Sequence, residues 1–334
     1  MNYKNNRIEW IDLCKTLGIF LVVIGHALRN DISYIYIYGF HMPLFFFLSG
    51  LVFNENKYDD IRIFLKNRFN SLIIPYVFFY LLTYLYWLFV ERSFRSFDLS
   101  WWQPLLGMIQ GSQAHGLMDH NGILWFLPCL FMTELLFVLV NKISNRVTQY
   151  LVLIVLVVIG FSTKEILPWC LNIAMVVLIF FWFANKTKIY VYVNRRVPIM
   201  VCGFILMGGA YTLLQYLTYN KVNISTCSYG NPAVFFISAF LGIIWVTLLC
   251  MMLSRIIGGG NKIGANTMLI FALHQPLLRI LKYIGHKLFG NFPVENNIVL
   301  AVLVSIIIII MLQPMVFFYN LLKRKYLIKL YINE

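Results

Sequence analysis

The chain has 334 residues, 60% of them hydrophobic and only 12% charged, with a mean hydropathy of +0.77. That composition excludes a soluble globular domain and predicts an all-α polytopic membrane protein. The net charge of +14 would suit nucleic acid, but the cations are scattered over short loops with no basic stripe of interleaved aromatics. Topology and anionic membrane lipid account for them, and no nucleic acid is expected as a partner.

Apolar runs long enough to cross a hydrocarbon core of about 30 Å fall at residues 11–28, 35–53, 72–90, 122–140, 147–162, 167–184, 198–219, 232–257, 266–284 and 297–319. These are ten predicted transmembrane helices; the fifth and sixth are short and close enough for a tight hairpin. An even count puts both termini on one side. Cytoplasmic termini place 18 of the 27 Lys and Arg residues in inner segments and eight in outer ones, with Lys15 inside the first span. The positive-inside bias therefore predicts N-in and C-in. No linker or soluble module interrupts the runs, so residues 1–334 read as a single integral membrane domain. No cleavable signal is expected at the N-terminus.

The first span carries Asp12, Lys15 and His26 in otherwise apolar text. Eleven steps of helix separate Lys15 from His26, a net rotation of about 20° and a rise of about 16 Å. The two share one face with Asp12 one turn earlier, and that face should meet protein or water, not lipid. In the second span, His41-Met42-Pro43 begins a run that continues to Ser49-Gly50. Pro43 removes a backbone donor, which either opens the helix towards a cavity or only kinks a packed one.

Between the second and third spans, residues 54–71 mix charges with Ile61, Ile63 and Leu65 and predict an amphipathic helix on the cytoplasmic face. Arg68, just before Pro75-Tyr76, suits either a phosphate-bearing donor or a topological anchor. The outer segment 91–121 holds Trp101, Trp102, His115, Asp119 and His120, a mixture for an interfacial helix, a lid or an aromatic anchor. Trp125 and Glu134 lie in the fourth span, where a carboxyl must be neutral or paired. Orienting a histidine, neutralising Lys15 and a purely structural role all fit it.

The ninth span follows Gly264-Ala265-Asn266-Thr267 and carries His274-Gln275-Pro276. A lone intramembrane histidine is commonly an interhelical hydrogen-bonder. Three of them with Asp12, Lys15 and Glu134 point instead to a pathway or a site. Six cysteines without a CxxC pair predict neither a metal centre nor a disulfide framework.

The order of these motifs resembles the membrane acyltransferase-3 family. The resemblance rests on Lys15 and His26 with ten residues between them, His41 through Gly50, Arg68 before Pro75-Tyr76, Leu124-Trp125-Phe126-Leu127, and Gly264 through Thr267 leading to His274-Gln275. It runs from Arg7 to about Leu278, and the branch it looks most like is the stand-alone fucose 4-O-acetylase type. It implies ten core helices in a bacterial cytoplasmic (inner) membrane. It also implies transfer of acetyl from cytoplasmic acetyl-CoA, as co-substrate, to a hydroxyl of an extracytoplasmic cell-envelope polysaccharide or its lipid-linked precursor. The chain departs from the family pattern in two places. Lys15 stands where arginine is frequent, keeping the charge but losing the planar fork. Of two cytoplasmic arginines three apart only Arg68 is present, followed by Ser71, with Lys66 or Arg62 as substitutes.

An alcohol is a poor nucleophile until a base takes its proton, and histidine does this near neutral pH. The roles that follow are His26 as base or transient acyl carrier, aided by Lys15 and Asp12, with Lys15 and Arg68 holding the donor. His41, Ser49, Trp125, Glu134, Asn266 and His274 are assigned to the acceptor side. Intramembrane histidines and broken helices equally suit a proton-coupled transporter or flippase of a glycan intermediate. A non-catalytic scaffold is the third reading.

Overall fold

A computed structural model describes residues 8–58, 60–93, 95, 99–188, 196–257, 264 and 267–332, with side chains except at 56, 320 and 322–332. Eleven helices organise these residues: α1 Glu9–Ala27, α2 His41–Val52, α3 Ile61–Glu91, α4 Gln103–Gln110, α5 Phe126–Asn141, α6 Arg146–Ser162, α7 Leu171–Thr187, α8 Val197–Thr218, α9 Pro232–Ile257, α10 Thr267–Phe289 and α11 Ile298–Ile332. The only pairing of strand type among the described residues is an isolated bridge between Asn223 and Ser228.

Among the described residues each of the ten apolar runs lies mainly on helix, the second being crossed by a turn at 38–40, and eight helical segments are long and apolar enough to cross a membrane. The two that fall short do so for different reasons. Helix α6 has 17 residues, about 26 Å at 1.5 Å per residue. Helix α10 is long enough, but its second half carries Arg279, Lys282, His286 and Lys287.

Local chemistry sets several of the ends. The Asn145 side chain accepts from the N–H groups of Val147 and Thr148 to start α6, and Asn231 does the same for Ala233 and Val234 ahead of α9. Asp60 caps α3 through the Arg62 N–H. The amphipathic stretch expected at 54–71 is not a separate surface helix. Residues Ile61–Arg68 are the opening turns of α3, joined to the span by a π-helical segment, Phe69–Ile73. The Ile74 N–H reaches the Phe69 carbonyl, and Pro75, which has no N–H to place, follows without breaking the helix.

Neither an opening nor a kink falls at Pro43 itself. The chain passes from a π-helical segment, Ser33–Ile37, through a turn at 38–40 before α2 begins at His41. Pro43 falls in the first turn of α2, where an N–H has no intrahelical partner to lose. The break therefore precedes the histidine.

The chain divides into two compact units, a central one of residues 31–258 and a terminal one of residues 1–30 with 259–334. In the central unit α7 lies deep in the packing, with Ile173, Ala174, Val176, Val177, Phe180 and Phe181 fully buried. It packs against α2, α5 and α6, while α8 packs on α9. Gly50 of α2 allows the α2–α7 approach, since a Cβ there would collide with the Phe181 carbonyl. Asn185 of α7 secures it, donating to the carbonyls of Gly50 at 3.0 Å and Phe53 at 2.8 Å. In the terminal unit α1, α10 and α11 pack against one another.

Candidate active site

In the terminal unit, α1 presents Asp12, Lys15 and His26 from one uninterrupted helix. Asp12 is buried, its carbonyl accepting from the Thr16 hydroxyl at 2.9 Å, while Lys15 and His26 are half-buried. Gly264 explains the first letter of the Gly264-to-Thr267 motif: a Cβ there would run into the Asp12 backbone. Asn266 lies outside the described residues.

His274 of α10 is fully buried, and its ring centroid lies 5.4 Å from that of His26, the planes 42° apart. The Nδ1 of His274 lies 2.8 Å from the Phe271 carbonyl and 3.1 Å from the Ile270 carbonyl. A carbonyl only accepts, so Nδ1 carries the proton and neutral His274 holds its lone pair on Nε2. Among the described residues that Nε2 has no hydrogen-bond partner, nor does Oε1 of the adjacent, buried Gln275. The structure thus joins His26 to His274 and leaves Lys15 well removed from them, about 16 Å along α1.

In the central unit, His41 opens α2 with 2% exposure. Its Nδ1 donates to the Ile37 carbonyl at 2.9 Å, and its ring meets the edge of Tyr38 at 4.8 Å. The same reasoning puts the His41 lone pair on Nε2. Ser49 is half-buried. Trp125 is buried and closes the 3₁₀ turn Gly122–Trp125 that leads into α5.

Arg68 and Glu134, given separate roles from sequence, are partners: Arg68 Nε lies 3.0 Å from Glu134 Oε2. Glu134 is 3% exposed, and the guanidinium also lies 5.0 Å from the Phe53 ring centroid and 5.4 Å from that of Tyr58. The requirement that Glu134 be paired is legible in the sequence, but its partner, on the opening turns of α3, is not.

The segment 91–121 and the helix before it hold one feature that sequence reading misses. Tyr76, Tyr80 and Tyr84, spaced one turn apart on α3, donate to the carbonyls of Met108, Pro104 and Trp101. This ladder fixes α4 alongside α3. Buried His120 packs against Tyr80 at 4.4 Å between centroids, with Asn121 donating to Thr83 at 3.3 Å. The i, i+4, i+8 tyrosine spacing is the available signal.

A family model described as an acyltransferase domain matches residues 8–313. No curated protein and no solved structure gives a significant match. The match covers nearly the whole chain, including α1 with its histidine and α10 with His274, so the protein belongs to the acyltransferase-3 family and is a multi-pass membrane acyltransferase.

Proposed function

We propose that the protein transfers an acetyl group from cytoplasmic acetyl-CoA to a hydroxyl of an extracytoplasmic cell-envelope polysaccharide or its lipid-linked precursor, in a bacterial inner membrane with N-in, C-in topology. The observation that carries this reading is the His26–His274 pair, with rings 5.4 Å apart and the second nitrogen of His274 open. Membership of an acyltransferase family favours it over the transporter and scaffold readings.

The attacking hydroxyl forms a C–O bond to the thioester carbonyl while a base takes its proton. The C–S bond then breaks, and the leaving thiolate takes up a proton to depart as the thiol. His26 is assigned the proton transfer, either directly or after carrying the acetyl group itself. Lys15 and Arg68 are assigned to the donor's phosphates, and Asp12 to supporting Lys15. On the acceptor side, His41, Ser49, Trp125, Asn266 and His274 remain the assigned contacts, whereas Glu134, first assigned with them, is committed to Arg68 at 3.0 Å.

Purified protein in nanodiscs, given radiolabelled acetyl-CoA and a panel of envelope glycans, tests this directly. Label should enter a glycan with wild type and not with His26→Ala. Transport of a glycan without acetyl-CoA consumption would overturn the reading.

A further inference from the structure

His274 is tied to its own helix on one side and open on the other. Pro276, inside α10, brings no N–H to the helical ladder. In the same turn the His274 Nδ1 donates to the carbonyls of Phe271 at 2.8 Å and Ile270 at 3.1 Å. These bonds hold the ring and put its lone pair on Nε2. The residue is fully buried, and Nε2 has no hydrogen-bond partner among the described residues. A buried acceptor left unmet is costly. A histidine kept only to anchor its own helix gains nothing from that orphan, because the anchoring is complete through Nδ1.

The ring beside it is that of His26, 5.4 Å away between centroids and tilted by 42°. Nitrogens lie on the rim of an imidazole, so this spacing lets one from each ring approach to about 3 Å, a hydrogen-bond distance. His26 sits in the last turn of α1, at the negative end of the helix dipole, where a positive imidazolium is favoured. A neutral imidazole that takes a proton at one nitrogen carries a hydrogen on the other. His26 acting as base therefore has an N–H to direct, and the open acceptor of His274 lies alongside. His41 gives the contrast. Its Nδ1 has the same kind of backbone tie, to Ile37, but the ring that meets it is Tyr38, not a second imidazole.

The geometry points to His274 as a positioning residue for His26, its Nε2 accepting the N–H of His26 that faces away from the acceptor hydroxyl. That bond fixes the tautomer and direction of the base and stabilises the imidazolium formed during transfer. The role rests on the acetyl-transfer reading above and moves His274 from acceptor contact to partner of the base. The hydroxyl proton passes to His26 as the hydroxyl oxygen bonds to the thioester carbon, and His26 returns it to the thiolate when the C–S bond breaks. The hydrogen on the other nitrogen of His26 stays in place throughout, and none passes to His274.

Two substitutions separate the two nitrogens of His274. His274→Asn places a polar atom near the position of Nδ1 and none at Nε2, whereas His274→Gln places its Oε1 near the position of Nε2. The full chain in nanodiscs gives two readouts. Carbethoxylation of His26 by diethyl pyrocarbonate, followed by peptide mass spectrometry, reports the nucleophilicity of the ring with neither glycan nor acetyl-CoA present; exposed His286 on α10 is the internal control. Steady-state acetyl transfer is the second. His274→Asn should slow labelling of His26 at least about threefold and lower kcat at least about tenfold, with KM within about twofold of wild type. His274→Gln should recover most of both losses. Recovery by asparagine and not by glutamine would overturn the proposal, since the backbone tie would then be the whole role. So would a rise in KM with kcat unchanged, the sign of a direct acceptor contact. If wild type transfers no acetyl group, labelling decides alone: equal rates in wild type and His274→Asn overturn the pairing, and a slower rate upholds it while the acetyl reading falls. Thermal unfolding checks each variant, and His274→Phe replaces His274→Asn in the comparison if the latter does not fold.

Discussion

In the central unit the ions are met in pairs: Glu134 by Arg68 at 3.0 Å and Glu55 by Lys186 at 2.8 Å. In the terminal unit the buried histidine is met on one nitrogen only, His274 being tied through Nδ1 to backbone carbonyls while Nε2 stays open beside His26. The first arrangement holds helices together across long sequence separations. The second holds His274 in one tautomer and leaves its Nε2 free to accept a hydrogen bond beside His26, the proposed base. Polar residues in an apolar chain thus divide by whether the fold has already used their bonding capacity.

The sharpest way to break this comparison is His26→Ala. Loss of general-base catalysis is expected to lower acetyl transfer by about 10²–10⁴-fold, with little change in Tm because the ring is half-buried. A drop of less than about tenfold, measured with labelled acetyl-CoA, would remove His26 from the chemistry. His274→Phe keeps an aromatic ring, though a larger one, and removes the lone pair, and should cost about 10²-fold. Combined with His26→Ala it should add little, because residues acting as a unit are non-additive. Additive losses would show that the two rings act separately.

The central unit makes the opposite prediction. Glu134→Ala leaves Arg68 without its carboxylate and should destabilise the protein by about 3 kcal/mol, near the low end for a buried pair, since the Arg68 side chain is 22% exposed. The double variant Arg68→Leu, Glu134→Leu should recover much of that loss, read as the midpoint of chemical denaturation. Failure to recover would mean that Arg68 has a further role, and retained stability in Glu134→Ala would mean that the pair is not structural.

The helical architecture is legible because hydrophobic runs long enough for a membrane have few alternatives: among the described residues each run read from the sequence, 11–28 through 297–319, lies mainly on helix. Breaks are less legible. The π segments at Ser33–Ile37 and Phe69–Ile73 carry no compositional mark, so the sequence alone draws attention to Pro43, as an opening or a kink, and separates the helix at 61–68 from the span. For the site, the α1 periodicity places Lys15 and His26 on one face. The meeting of His26 with His274 and of Arg68 with Glu134 depends on which helices pack together, which no local pattern encodes.

The smallest effect lies at the edge of the terminal unit. Glu295, in the connection between α10 and α11, accepts from Lys282 Nζ at 2.8 Å, and that hydrogen bond holds its carboxyl below the usual carboxylate range. A carboxyl with a depressed folded pKa adds stability above its unfolded pKa, about 4.3 for glutamate, and loses it as pH falls through the folded value. With its side chain 52% exposed, Glu295 should contribute under about 1 kcal/mol. Glu295→Gln should therefore lower the denaturation midpoint slightly at pH 7, and the gap to wild type should close as the pH is taken below the folded pKa. A gap that persists in acid would come from packing of the connection, not from the ion pair. Unlike Glu134, this carboxylate lies where water can replace its partner, so the same type of pair is expected to matter several-fold less at the surface than within the central unit.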